Sequence, residues 1–210
     1  AMLAVVDGDI TGWNILDQVD DQHWKIESAG LELYSGLPGI ALFLAQLEML
    51  TNSDRHSQLM RGCIATIRAQ IEATRNTWKS IGGFNGWGGV LYTLANLGWM
   101  LDNRELLSDA ESIVEFLPEL IQQDDAVDVI GGAAGCIGGL LALYRVAPSL
   151  PTLTAATMCG ERLLEHGQAM NPGMGWQTPI APETPLCGFS HGAAGIGWAL
   201  LELATVTDDT

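Results

Sequence analysis

Four stretches of the chain are apolar on nearly every side: Ile40–Leu47, Val90–Leu97, Cys136–Tyr144 and Ile196–Leu203. A helix of that kind is buried over most of its surface. Each stretch opens directly behind a Gly-x-x-Gly pair, at 36–39, 86–89, 132–135 and 192–195. Between them the pattern changes to a single apolar stripe. Leu59, Cys63, Ile67 and Ile71 recur every fourth residue, with Arg61, Arg68 and Gln70 turned to water, which predicts an amphipathic helix starting from the polar break Thr51-Asn-Ser-Asp54. Leu106, Leu107, Ala110, Ile113, Val114 and Leu117 form a second such stripe, which Pro118 should kink or shorten by removing a backbone bond. A third lies near 152–168, with Leu153, Ala156, Leu163 and Leu164.

Buried and amphipathic helices thus alternate with a period of roughly 50 residues, the mark of stacked helical hairpins that cannot bury their faces singly. Such hairpins can stack openly or curl into a ring. The curled form is an all-α architecture, an α/α toroid, here an incomplete ring of about four inner helices whose glycine-rich starts gather at one rim. Residues 31–210 make up this partial toroid. Residues 1–30 read as an acidic, irregular lead-in anchored by Trp13 and Trp24, and no alternation looks long enough to build a sheet.

Composition narrows the options. Apolar residues make up 48% and charged ones 16% of the 210 residues, as in a packed globular protein. A net charge of −16 cannot neutralise a row of phosphates, which excludes nucleic acid as partner. No apolar run is long enough for a membrane span, and no basic-then-apolar leader is present. Four scattered cysteines without a C-x-x-C (Cys63, Cys136, Cys159, Cys187) suggest reduced thiols and a cytoplasmic location. The chain opens at Ala1-Met2 and stops just behind an apolar helix, so it reads as cut from something longer.

Chemistry enters at the glycine-rich starts, where free N–H groups and the helix dipole welcome negative charge. The residue before the first glycine is Ser35, Asn85, Gly131 and His191 in turn; four residues before that glycine stand Glu32, Gly82, Asp128 and Gly188. Asp128 and His191 therefore occupy related rim positions of adjacent hairpins. A carboxylate beside an imidazole orients the ring and supports proton transfer near neutral pH. Plainer roles exist for each: an Asp ahead of a helix is commonly a cap, and a single His is commonly structural. Cys187 and His191 (C-x-x-x-H) supply two metal donors, short of a site. His23, His56 and His166 read as surface residues.

Leu33-Tyr-Ser-Gly-Leu-Pro-Gly39, Gly82-Gly-Phe-Asn-Gly-Trp-Gly-Gly89, Asp128-Val-Ile-Gly-Gly-Ala-Ala-Gly135 and Gly188-Phe-Ser-His-Gly-Ala-Ala-Gly195 resemble successive motifs of the lanthionine synthetase C-like family. The resemblance is closest to the cyclase domain of type II (LanM-type) lanthipeptide synthetases, of which the chain would be the N-terminal part. It implies an α/α toroid that adds peptide cysteine thiols to dehydroalanine or dehydrobutyrine in a dehydrated precursor peptide, closing thioether rings. It places His191 and Asp128 on the family's catalytic histidine and aspartate. It also implies zinc, which would activate the thiol. The family's Trp-Cys-x-Gly and Cys-His-Gly ligand motifs do not occur here, so the zinc belongs to a full-length parent and this chain is expected to be inactive alone. An open half-ring would cover its inner helices by pairing with a second copy. Two other readings stand beside this one. A glycoside hydrolase toroid would use rim acids such as Glu32, Asp128 and Glu183, and a non-catalytic helical-repeat scaffold would bind peptide.

Overall fold

The computed structural model describes residues 3–207, in two compact units that divide between Trp78 and Lys79. In the first unit, β1 (Ala4–Asp7), β2 (Ile10–Gln18) and β3 (Trp24–Ser28) form an antiparallel meander, followed by α1 (Leu37–Thr51) and α2 (Asp54–Thr74). The meander corrects the expectation of an irregular lead-in without a sheet. Its first turn is Gly8-Asp9, with Gly8 in the left-handed region (φ 57°) that a two-residue hairpin loop demands. Asp20 closes the second by accepting the N–H groups of Gln22 and His23, both at 2.9 Å. Helix α2 packs on β2. Thr11 is buried there, and Thr66 Oγ1 donates to its carbonyl at 3.0 Å. The outward face carries Ile10, Leu16 and Ile26, all exposed. Apolar residues on both faces hide the period-two signal that a half-buried strand normally shows.

Helix α1 ends on Asn52, which takes the left-handed conformation (φ 47°) of an αL cap. Ser53 stands at the N-cap of α2 but makes no side-chain cap bond.

The second unit holds α3 (Trp87–Met100), α4 (Arg104–Val114), α5 (Leu117–Gln122), α6 (Ala133–Val146), α7 (Leu150–His166), a two-stranded ribbon of β4 (Gln168–Ala169) and β5 (Met174–Gly175), and α8 (Ala193–Thr207). The bulk of the chain is all-α, as the pattern predicts. Helices α3, α6 and α8 pack in a row, with α4, α5 and α7 behind them. The second amphipathic stripe breaks at Phe116, and α5 begins with Pro118 in its first turn, where the missing N–H costs nothing. Helix α7 starts two residues before the expected 152, because Ser149 caps it by accepting the Thr152 N–H. The Pro/Gly-rich connection behind α7 is anchored by Trp176, whose Nε1 donates to the Leu163 carbonyl at 2.7 Å.

In the α3–α6 contact, backbone meets backbone. A Cβ on Gly139 would strike the Gly88 carbonyl oxygen, and one on Gly88 would lie 2.8 Å from the Cys136 Cα. Only glycine permits that approach.

Candidate active site

Three inner-helix starts are stitched together in the second unit. Gly83 N–H donates to the Val129 carbonyl at 3.0 Å, Phe84 and Asn85 N–H to Ile130 at 3.1 and 3.2 Å, and Val129 N–H to Ser190 at 3.2 Å. The loops ahead of α3, α6 and α8 thus run side by side, and the position four residues before the first glycine of one loop comes within reach of the position just before the first glycine of the next.

That is how Asp128 meets His191 across 63 positions of sequence. Nδ1 of His191 lies 2.7 Å from Oδ2 of Asp128. The Asp128 side chain is 6% exposed and the imidazole 31%. The other carboxylate oxygen, Oδ1, accepts the Gly131 N–H at 2.7 Å. A carboxylate only accepts, so the ring proton sits on Nδ1, and Nε2 is left to exchange a proton with a bound molecule. The carboxylate fixes tautomer and orientation and stabilises the imidazolium when it forms. The two residues singled out in the sequence are thus brought together as a buried acceptor and a partly exposed imidazole.

The turn that carries Asp128 is strained. Asp128 N–H donates back to the Ala126 carbonyl at 2.7 Å, which closes a three-residue turn on Val127. Val127 is fully buried and has φ 53°, a conformation that costs a β-branched residue about 1–3 kcal/mol. Asp124, which sequence reasoning passed over, holds this turn. Its carboxylate accepts the N–H groups of Ala126 (3.2 Å), Val127 (3.1 Å) and Ala133 (2.9 Å). From α7, Arg162 donates Nε to the Asp124 carbonyl at 2.8 Å and pairs with Asp125 at 3.1 Å. Burial pushes the Asp124 carboxyl above the usual carboxylate range, against the pull of its three N–H donors and of Arg162. An acid in Asp-Asp-Ala-Val-Asp reads like any polar loop; nothing in the spacing marks it.

The remaining candidates stand apart. Glu32 is exposed and accepts Ser35 Oγ at 2.6 Å, within its own loop. Glu183 is exposed. His23 bonds to Asp20, His56 to Thr51 and His166 to the Arg162 carbonyl. Cys63, Cys136 and Cys159 are buried free thiols, and Cys187 is exposed. Burial raises the Cys63 thiol to about 12 and Cys159 well above its usual range, so neither supplies thiolate at neutral pH. Among the described residues no group of three or more His, Cys, Asp or Glu side chains stands close enough to hold a metal ion. The donors among the described residues do not fit the zinc that the resemblance implies. No helix is long and apolar enough to cross a membrane, among the described residues.

Stacked helical hairpins with glycine-rich starts, and a His–Asp pair between two of those starts, define an all-α helical-repeat protein. Residues 27–210 match the lanthionine synthetase C-like protein family. The chain therefore belongs to the lanthionine synthetase C-like family, whose general activity is of the cyclase type. No curated protein matches it.

Proposed function

We propose that this chain carries the proton-transfer centre of a lanthipeptide cyclase, with a dehydrated precursor peptide as substrate. In the reaction a cysteine thiol of the peptide loses its proton, and its sulfur forms a bond to the β-carbon of dehydroalanine or dehydrobutyrine. The C=C π pair moves to the α-carbon and the adjacent carbonyl as an enolate. A proton then reaches the α-carbon. Atoms balance as addition of S–H across the double bond. His191 Nε2 takes up the proton released by the thiol and delivers it to the α-carbon, and Asp128 holds the ring and offsets the imidazolium charge in between. Zinc, which the family resemblance implies, would be held by residues other than those described.

The observation that carries the reading is the 2.7 Å bond from His191 Nδ1 to a buried carboxylate, in loops of a chain matched to this family over residues 27–210. The test is ring closure by an active preparation of the protein, followed by mass spectrometry of alkylated, unreacted peptide thiols. His191→Ala should slow closure by about 100-fold or more while circular dichroism stays unchanged. An unimpaired, folded variant removes His191 from the reaction.

A further inference from the structure

The four glycine-rich helix starts serve as internal controls for one another. In α1, α3 and α8 the first helical N–H (Leu37, Trp87, Ala193) donates to the carbonyl seven residues back (Gly30, Ser80, Leu186), at 2.8, 3.1 and 2.9 Å. Helix α6 breaks this rule. Its first N–H, of Ala133, goes to the Asp124 carboxylate. The carbonyl it would have used, Ala126, is released and takes the Asp128 N–H instead. Val127 flips to positive φ, whereas its counterparts Leu31, Ile81 and Cys187 are not among the positive-φ residues. One residue later the common pattern resumes: Ala134 N–H donates to Val127 at 3.2 Å, as Gly88 does to Ile81 at 3.1 Å and Ala194 to Cys187 at 3.3 Å. The departure is confined to the stretch between Asp124 and Ala133, and Asp128 lies inside it.

We propose that Asp124 is the positioning residue of the site: its buried carboxylate displaces the Ala126 carbonyl from the start of α6 and so creates the turn that aims Asp128 at His191. Glu32 stands at the position of the first hairpin equivalent to Asp128, on a loop without this replacement, and its carboxylate accepts Ser35 Oγ of the same loop. Removing the Asp124 carboxylate lets the Ala133 N–H recapture the Ala126 carbonyl. The Asp128 N–H then loses its acceptor, Val127 relaxes to negative φ, and the Asp128 side chain swings off the imidazole. Arg162 braces the arrangement through the Asp124 main chain. Asp124 acts only through Asp128; it is not itself a reacting group. The inference rests on the proposed roles of Asp128 and His191.

The test reads the His191–Asp128 bond directly, by proton NMR of the imidazole Nδ1–H in the 210-residue chain. A carboxylate partner moves that proton downfield and slows its exchange with water. In Asp124→Ala the downfield signal should vanish, or exchange roughly tenfold faster, as it should in Asp128→Asn. Leu163→Ala, which opens a cavity on α7 and removes none of the hydrogen bonds of the loop, should leave it unchanged although it lowers stability. Asp124→Asn offers one acceptor oxygen where the carboxylate offers two, so exchange should quicken by about threefold. A folded Asp124→Ala with the wild-type signal overturns the proposal; if that variant does not fold, a wild-type exchange rate in Asp124→Asn overturns it. In ring closure by an active preparation, Asp124→Ala should lower kcat to the Asp128→Asn level with KM held, and the double variant should fall no further. Unimpaired closure by Asp128→Asn would remove the functional reading and leave the NMR result standing. An unchanged NMR signal would remove Asp124 and leave the functional reading standing.

Discussion

Helices α6 and α8 begin with the same Gly-Ala-Ala-Gly and continue with the same kind of apolar run, yet they are packed very differently. In α6 the residues Ala133, Ala134, Gly135, Cys136, Ile137, Gly139, Leu140, Leu141 and Leu143 are all buried. In α8 only Gly195, Ile196, Ala199 and Leu203 are, and Leu201 and Trp198 are exposed. Helix α6 lies between α3 and α8 with α7 behind it, whereas α8 packs principally on α6 and α7. The apolar pattern therefore encodes membership of the inner row, and the glycines encode how closely a neighbour comes. Gly139 meets the Gly88 backbone, while a Cβ on Gly197 would meet nothing within 4 Å.

The sharpest way to break that contrast is Gly139→Val. The new side chain would collide with the Gly88 carbonyl, part of a packed main chain that has no rotamer to retreat into. Overpacking of that kind should cost about 3 kcal/mol, read as a lower midpoint in urea with the slope unchanged. A loss below about 1 kcal/mol would mean that α3 and α6 can slide apart freely, and close glycine packing would no longer distinguish α6 from α8.

Gly197→Ala probes the other side of the comparison. With open space at the Cβ position and a helical backbone, alanine should stabilise by about 0.5–1 kcal/mol, through the lower conformational entropy of the unfolded chain. The same urea titration measures it. A destabilising result would show that in solution something presses on α8 where Gly197 stands.

How much of this was legible from the residues alone follows the same division. The four apolar helices behind Gly-x-x-Gly, the break at Pro118 and the Asp128–His191 pairing could be read because each leaves a mark in residue types: apolar runs, a missing backbone N–H, and a fixed register relative to Gly-x-x-Gly. The meander escaped notice because Ile10, Leu16 and Ile26 line its outward face, and alternation then loses its contrast. The turn signal Asp7-Gly8-Asp9 was the available clue. Asp124 was hidden for a different reason. Its effect is a changed hydrogen-bond pattern in one copy of a repeat, and main-chain bonding leaves no trace in residue types. Cys187 and His191 suggested half a metal site by spacing, but spacing says nothing of further donors.

The smallest predicted effect concerns the bond that ties the two helices together. Arg145 of α6 reaches Glu202 of α8 at 2.6 Å, with the arginine side chain 58% and the glutamate 35% exposed. Water screens such a pair, and holding two long side chains in place costs entropy, so a double-mutant cycle of Arg145→Ala and Glu202→Ala should give a coupling of about 0.2–1 kcal/mol. Raising the salt to 1 M should shrink it, since the screening length falls to about 3 Å. A coupling above about 2 kcal/mol that ignores salt would have a definite physical meaning, because only a pair withdrawn from water behaves that way. The outward side of α8 would then be covered in solution, and the difference between α6 and α8 would be one of sequence order and not of burial.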